Sequence, residues 1–154
     1  MLLKKTELSV EEDNLRNKRK AGLVVGVFLL LSLPFLVGWT YPENLWQGLI
    51  GEAVGEGYNG IYAVACVYKN RLQKGLPLGC VALKRRDLDA FIKTQGKKYE
   101  IMAKEIIYKV FTQTNDITKG ATHYENIERF GIPRWVKNMV RTVKIGKHTF
   151  YKEK

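Results

Sequence analysis

The sequence predicts a mainly helical domain with a small β element, an α+β fold, preceded by one N-terminal transmembrane helix. Three observations carry that expectation. Ala21 to Trp39 contains no charged residue. Beyond it, apolar residues recur at helical spacing in several stretches. The closing stretch VKNMVRTVKIGKHTFYK has the strand propensity and the internal Gly146 of a hairpin. With 154 residues, the chain has room for one ordinary domain and an appendage. Its 45% hydrophobic and 11% aromatic content suits a folded globule, not a disordered tail.

The apolar run AGLVVGVFLLLSLPFLVGW sits at the lower limit of length for spanning a bilayer and exceeds a usual signal-peptide core. Arg16, Lys18, Arg19 and Lys20 precede it, and no Lys or Arg follows until Lys69. The positive-inside bias therefore predicts a cytoplasmic tail over residues 1–20, a retained signal anchor over 21–39, and a domain over 42–154 on the outer face of the cytoplasmic membrane. No small-x-small cleavage site is evident near Gly38.

In the outer domain, Asn44 is placed to cap a helix over Leu45 to Ala53, with Leu45, Trp46, Leu49, Ile50 and Ala53 on one apolar face. Glu52 falls on the edge of that face. Gly55 and Gly57 are expected to stop the helix. A second helix is expected over about Gly60 to Leu72, apolar nearly all round at its start and therefore buried. GLPLG, Gly75 to Gly79, reads as a turn. Asp87 or Asp89 is placed to cap a short helix through Ile92. The four-residue spacing of Met102, Ile106 and Val110 predicts an amphipathic helix over Tyr99 to Phe111. Asp116 to Asn126 has loop chemistry at its start, and the hairpin follows.

The stretch LIGEAVGEGYNG, Leu49 to Gly60, sets two carboxylates among four glycines. A carboxyl group on the rim of an apolar face is partly desolvated, which favours its protonated form, the state a general acid needs. Glycines beside it would let a bulky substrate approach the backbone. Spacing alone leaves the commoner reading open: a solvated surface glutamate, with the glycines doing no more than ending helices.

The chain carries a net charge of +11. Up to Thr40 there are six Lys/Arg against four Asp/Glu, so the outer domain holds +9 of it. A basic surface is drawn to polyanions: an acidic wall polymer, anionic lipid or nucleic acid. No recognition helix, zinc finger or Arg/Gly-rich tail is present, so a nucleic-acid partner has no support beyond charge. Cys66 and Cys80 are the only cysteines. Outside the cytoplasm they would be able to pair, but Cys66 in its apolar stretch reads equally well as a buried hydrophobe. Without a CxxC or a metal-ligand cluster, no metal or cofactor is expected. His123 and His148 lie too far apart in sequence to imply a joint site.

GEAVGEGYNGIYAVACVYKNRL resembles the signature GEA-x-GE-x-x-x-G-x-x-AVA-x-V-x-x-NR of the spore-cortex-lytic type cell wall hydrolases. GATHYEN at Gly120 to Asn126, PRW at Pro133 to Trp135 and IGKHTFY at Ile145 to Tyr151 resemble later blocks of that family, in the same order. The family is similar to the lysozyme-like lytic transglycosylases, which cleave the MurNAc–GlcNAc β-1,4 bond of peptidoglycan with a single glutamate at a helix end. The resemblance implies that role for Glu52. It implies a supporting role for Glu56, in shaping the site or binding sugar, and places His123 and Tyr124 near a cleft for glycan strands. With Trp135 these would form an aromatic wall for sugar rings; plain core packing is the other reading of Tyr124 and Trp135. Val54 stands where the family usually has an arginine. ALKRRDLDAFIKTQ, Ala82 to Gln95, lacks the family's Phe-Ser-Trp-like piece, with Phe91 as the nearest equivalent. The rivals to a transglycosylase are a muramidase acting by hydrolysis, a non-catalytic envelope protein that grips glycan, and a membrane-tethered nucleic-acid binder.

Overall fold

The structure, a computed structural model, describes residues 40–154; the expected cytoplasmic tail and membrane span lie outside the described residues. Four helices build most of the core: α1 (Leu45–Ala53), α2 (Gly57–Gln73), α3 (Leu88–Gln95) and α4 (Lys97–Thr112). Three short strands follow, β1 (His123–Glu125), β2 (Met139–Ile145) and β3 (His148–Glu153), with the single-turn helix α5 (Ile127–Phe130) after β1. Among the described residues no helix is long and apolar enough to cross a membrane.

α2 is the hub. Every residue from Gly60 to Tyr68 is buried, as its all-round apolar sequence requires. Leu45, Leu49, Ile50 and Ala53 of α1 and Ala103, Ile106 and Val110 of α4 pack with it into one cluster. On its other side, Ala63 and Val67 meet Ala121 and the fully buried Phe150 of β3. The sheet is antiparallel in the order β1-β3-β2, so β3 is its central strand. The hairpin turns at Gly146, which has φ +57°, the left-handed value that a two-residue turn with glycine first requires.

Several expectations are corrected. The 60s helix starts at Gly57, not Gly60, because Val54–Glu56 forms one 3-10 turn and Gly57, at φ +67°, joins it directly to α2. Asn44 and Asp87 precede α1 and α3 but make no side-chain cap. The Asp87 carboxylate instead pairs with Arg85 at 2.8 Å. α3 runs past Ile92 to Gln95, and α4 runs from Lys97 to Thr112. The region after Asp116 is more ordered than expected, since it contains β1, α5 and a 3-10 turn over Arg134–Asn138. Cys66 and Cys80 are both buried free thiols. Burial pushes the Cys66 thiol up to about 12, so the buried-hydrophobe reading describes it.

Candidate active site

Glu52 occupies the last turn of α1, half-buried, and its Oε1 accepts a hydrogen bond from the Ala82 N–H at 2.8 Å. Two glycines bring that donor close. A Cβ on Gly51 would meet the Ala82 Cβ at 2.6 Å, and one on Gly48 would meet Cys80 Sγ at 2.5 Å. The segment Cys80–Leu83 can therefore lie directly on α1. These glycines, and Gly60 below, serve close packing between protein segments, whereas Gly55 and Gly57 face open space.

Glu56, one turn further on, is committed to the protein. Its Oε2 accepts from the Lys147 N–H in the hairpin turn at 2.7 Å. Two glycines make room for it: a Cβ on Gly60 would strike the Glu56 Cβ, and a Cβ on Gly146 would strike its carboxylate. Glu56 thus staples the α1–α2 junction to the tip of the β2–β3 hairpin.

Two adjoining cavities open beside these carboxylates. The first, of about 550 Å³, includes Glu52, Tyr68, His123, Tyr124, Trp135 and His148 in its lining. The second, of about 490 Å³, adds Gly55, Glu128 and Lys147. Glu52, Glu56, Asn126 and Arg129 line both, so they mark where the two meet. A chain-like ligand laid through both cavities would pass these four shared residues.

All five residues expected at a site, Glu52, Glu56, His123, Tyr124 and Trp135, line the first cavity. The aromatic ones also brace one another. The His123 ring lies 5.3 Å from Trp135, and Trp135 stands edge-on to Tyr151 at 5.4 Å. Tyr124 packs edge-on against His148 at 5.1 Å, and its hydroxyl lies 3.3 Å from that of Tyr68. Tyr124 and Trp135 therefore both pack and line the cavity, which joins the two readings of them. Burial, and then the nearby Glu52 charge, push the Tyr124 phenol up, so it stays a neutral hydrogen-bonding group.

His123 and His148, too far apart in sequence to imply a joint site, line one cavity. The β1–β3 pairing, with His123 opposite Tyr151, brings both rings to the same cavity. Sequence distance hid this, although His148 stands inside the IGKHTFY block. Burial holds both imidazoles below their ordinary range. At His123 the charge of Arg71 adds to that effect; at His148 the Glu56 and Glu52 carboxylates oppose it. Arg71, Asn126 and Arg129 also line the cavity; Arg71 and Asn126 stand inside the first and second motif blocks, whereas Arg129 lies in none.

The Cell Wall Hydrolase family model matches residues 55–151. The chain belongs to the cell wall hydrolase family. The match spans α2, the sheet up to Tyr151 of β3 and the Glu56 staple, and begins three residues beyond Glu52. Two solved structures resemble this cell wall hydrolase. One is the catalytic domain of the germination-specific lytic transglycosylase SleB from Bacillus anthracis, 27% identical over 73% of this chain and 97% of that one, with a TM-score of 0.49. The other is the catalytic domain of the Bacillus cereus SleB protein, also 27% identical, over 73% and 93% of the two chains, with a TM-score of 0.50. No curated protein matches. A mainly helical domain with a small three-stranded sheet is thus the architecture of this cell wall hydrolase.

Proposed function

We propose that this cell wall hydrolase is a membrane-anchored lytic transglycosylase that cleaves the MurNAc–GlcNAc β-1,4 bond of peptidoglycan, with Glu52 as general acid and then base. One observation carries the reading: Glu52 stands where two adjoining cavities meet, with one carboxylate oxygen held by the Ala82 N–H. Protonated Glu52 donates to the glycosidic oxygen as the bond to the MurNAc C1 breaks, leaving an oxocarbenium-like sugar. The resulting carboxylate takes the proton of the MurNAc C6 hydroxyl, whose oxygen attacks C1 and closes a 1,6-anhydro ring. Glu52 ends protonated, as it began.

This route needs one carboxyl group, whereas most glycosidases need two. Glu56 favours it, because its carboxylate is already engaged with Lys147 and fenced by Gly60 and Gly146. In this reading Glu56 shapes the cleft, while His123, Tyr124 and Trp135 give the sugar rings a lysozyme-like aromatic wall.

Digesting purified sacculi with the parent and Glu52→Gln side by side tests the chemistry. The parent should release products with anhydro ends. The glutamine variant should be slower by about 10²- to 10⁴-fold, the usual contribution of a positioned acid–base group. Reducing ends would make the enzyme a muramidase, and a fully active Glu52→Gln would remove Glu52 from the mechanism.

The anchor is supported by the uncharged run Ala21–Trp39 and its basic N-terminal flank. Protease added to intact spheroplasts should digest the domain over 42–154 and spare a tag on residue 1. Digestion of the tag, or protection of the domain, would reverse that topology.

A further inference from the structure

Asn70 and Arg71, in the last turn of α2, grip two consecutive carbonyls of the chain leading into β1. Asn70 Nδ2 donates to the Ala121 carbonyl at 2.9 Å and to Asp116 Oδ2 at 3.0 Å. Asp116 in turn accepts from the Thr118 N–H at 2.8 Å and the Gly120 N–H at 2.7 Å, which shapes the loop that delivers Ala121. Arg71 Nη1 donates to the Thr122 carbonyl at 2.8 Å, and its Nε donates to the Pro77 carbonyl at 2.7 Å.

Those two carbonyls belong to different parts of the site. Pro77 opens the segment that runs through Gly79 to Ala82, whose N–H holds Glu52. Thr122 leads straight into His123 and Tyr124. Residues of both segments line the first cavity. Gly79, at φ +74°, lies flat against the guanidinium, since a Cβ there would sit 3.1 Å from three of its atoms. The Leu76 N–H also donates to the Arg71 carbonyl at 2.9 Å, so the loop is tied to the same residue at its entry.

We propose that Arg71 is a positioning residue for the reaction: its guanidinium bridges the Pro77 and Thr122 carbonyls, and so fixes both the segment that orients Glu52 and the strand that carries Tyr124. The proposal rests on the reading of Glu52 as the acid. A planar guanidinium presents fixed donors in two directions at once, which a lysine ammonium on a flexible stem does not reproduce. Reach alone therefore does not make lysine a substitute.

The full-length parent, Arg71→Ala, Arg71→Lys and Glu52→Gln are compared on solubilised glycan strands, with amide hydrogen exchange measured on each. Arg71→Ala is expected to lower kcat/KM by about 100-fold, the effect of a misplacement on the order of 1 Å at a reacting group. Lysine restores little of this. Added guanidinium ion restores part of the rate of Arg71→Ala and none of Glu52→Gln. Segments 76–84 and 120–126 exchange faster in Arg71→Ala, while 97–112 exchanges as in the parent. A lysine variant with parental kcat/KM, or exchange that rises equally in every helix, overturns the proposal. If the parent cleaves no glycan strand, or Glu52→Gln cleaves as fast as the parent, the reading of Glu52 fails, and the exchange pattern alone decides whether Arg71 clamps these segments.

Discussion

A methyl group added at Gly60 has to push the Glu56 side chain aside at its Cβ, and one added at Gly146 has to push aside the carboxylate itself. Gly60→Ala gains about 1 kcal/mol of helix propensity but meets an overpacking cost of about 1–3 kcal/mol. Gly146→Ala is strained besides, because its φ of +57° costs a residue with a Cβ about 1–2 kcal/mol. Both variants are expected to fold and to lose activity out of proportion to their loss of stability, by about tenfold or more, since they shift the wall of the cleft. Parallel melting and sacculus-digestion curves check this; activity that merely tracks the folded fraction would contradict it. At this scale the sequence was only partly readable. The two glutamates were visible as a pair, and the resemblance set their roles apart, but the contacts that hold each were not readable. The partner of Glu56 is a backbone N–H that sits 91 residues away and carries no side-chain signature. The donor to Glu52 is likewise a backbone group, that of Ala82. Arg71 stands in the first motif block, but its task was not readable, because its acceptors are backbone carbonyls, one six residues on and one 51 residues away.

β3 is the element on which the sheet depends, for it pairs with both β1 and β2 and presses Phe150 against Ala63 and Val67 of α2. Phe150→Ala should cost about 3–5 kcal/mol, as truncating a large buried aromatic does. That is a large share of a typical total of about 5–15 kcal/mol. Denaturant unfolding followed by circular dichroism measures it, and a loss below about 1 kcal/mol would mean that the strand can repack around the gap. The helices were legible because each buries a face whose period shows in the sequence. α2 was recognisable even without a polar face. The hairpin was legible from Gly146. β1 was not: three residues are too few to show alternation, and the strand it pairs with, β3, lies far along the chain. Gly57 does stop the first helical stretch, as the C-cap of the 3-10 turn, but that the next helix begins at the same residue was not readable.

For the molecule as a whole, the burial of two histidines in one cavity sets a dependence on pH. Both imidazoles titrate below their ordinary range when folded, and recover a value of about 6.5 when the chain unfolds. Below about pH 6.5 the unfolded chain therefore binds more protons than the folded one, so stability falls as pH drops from 7 towards 5. Melting temperature across that range should decline, and His148→Gln should flatten the decline. A slope unchanged by that substitution would assign the effect to other groups. The bond from Lys147 to Glu56 has a different kind of consequence, one of timing. It joins positions 91 residues apart, and β1 waits on β3 in the same way. Contacts so distant in sequence are late to form in folding. At roughly 5–20 residues per second of synthesis, the helices emerge from the ribosome seconds before the final strand does. A nascent chain therefore carries Glu52 and Glu56 on finished helices before the strands around them exist, and the wall of the cleft closes only once β3 has been made.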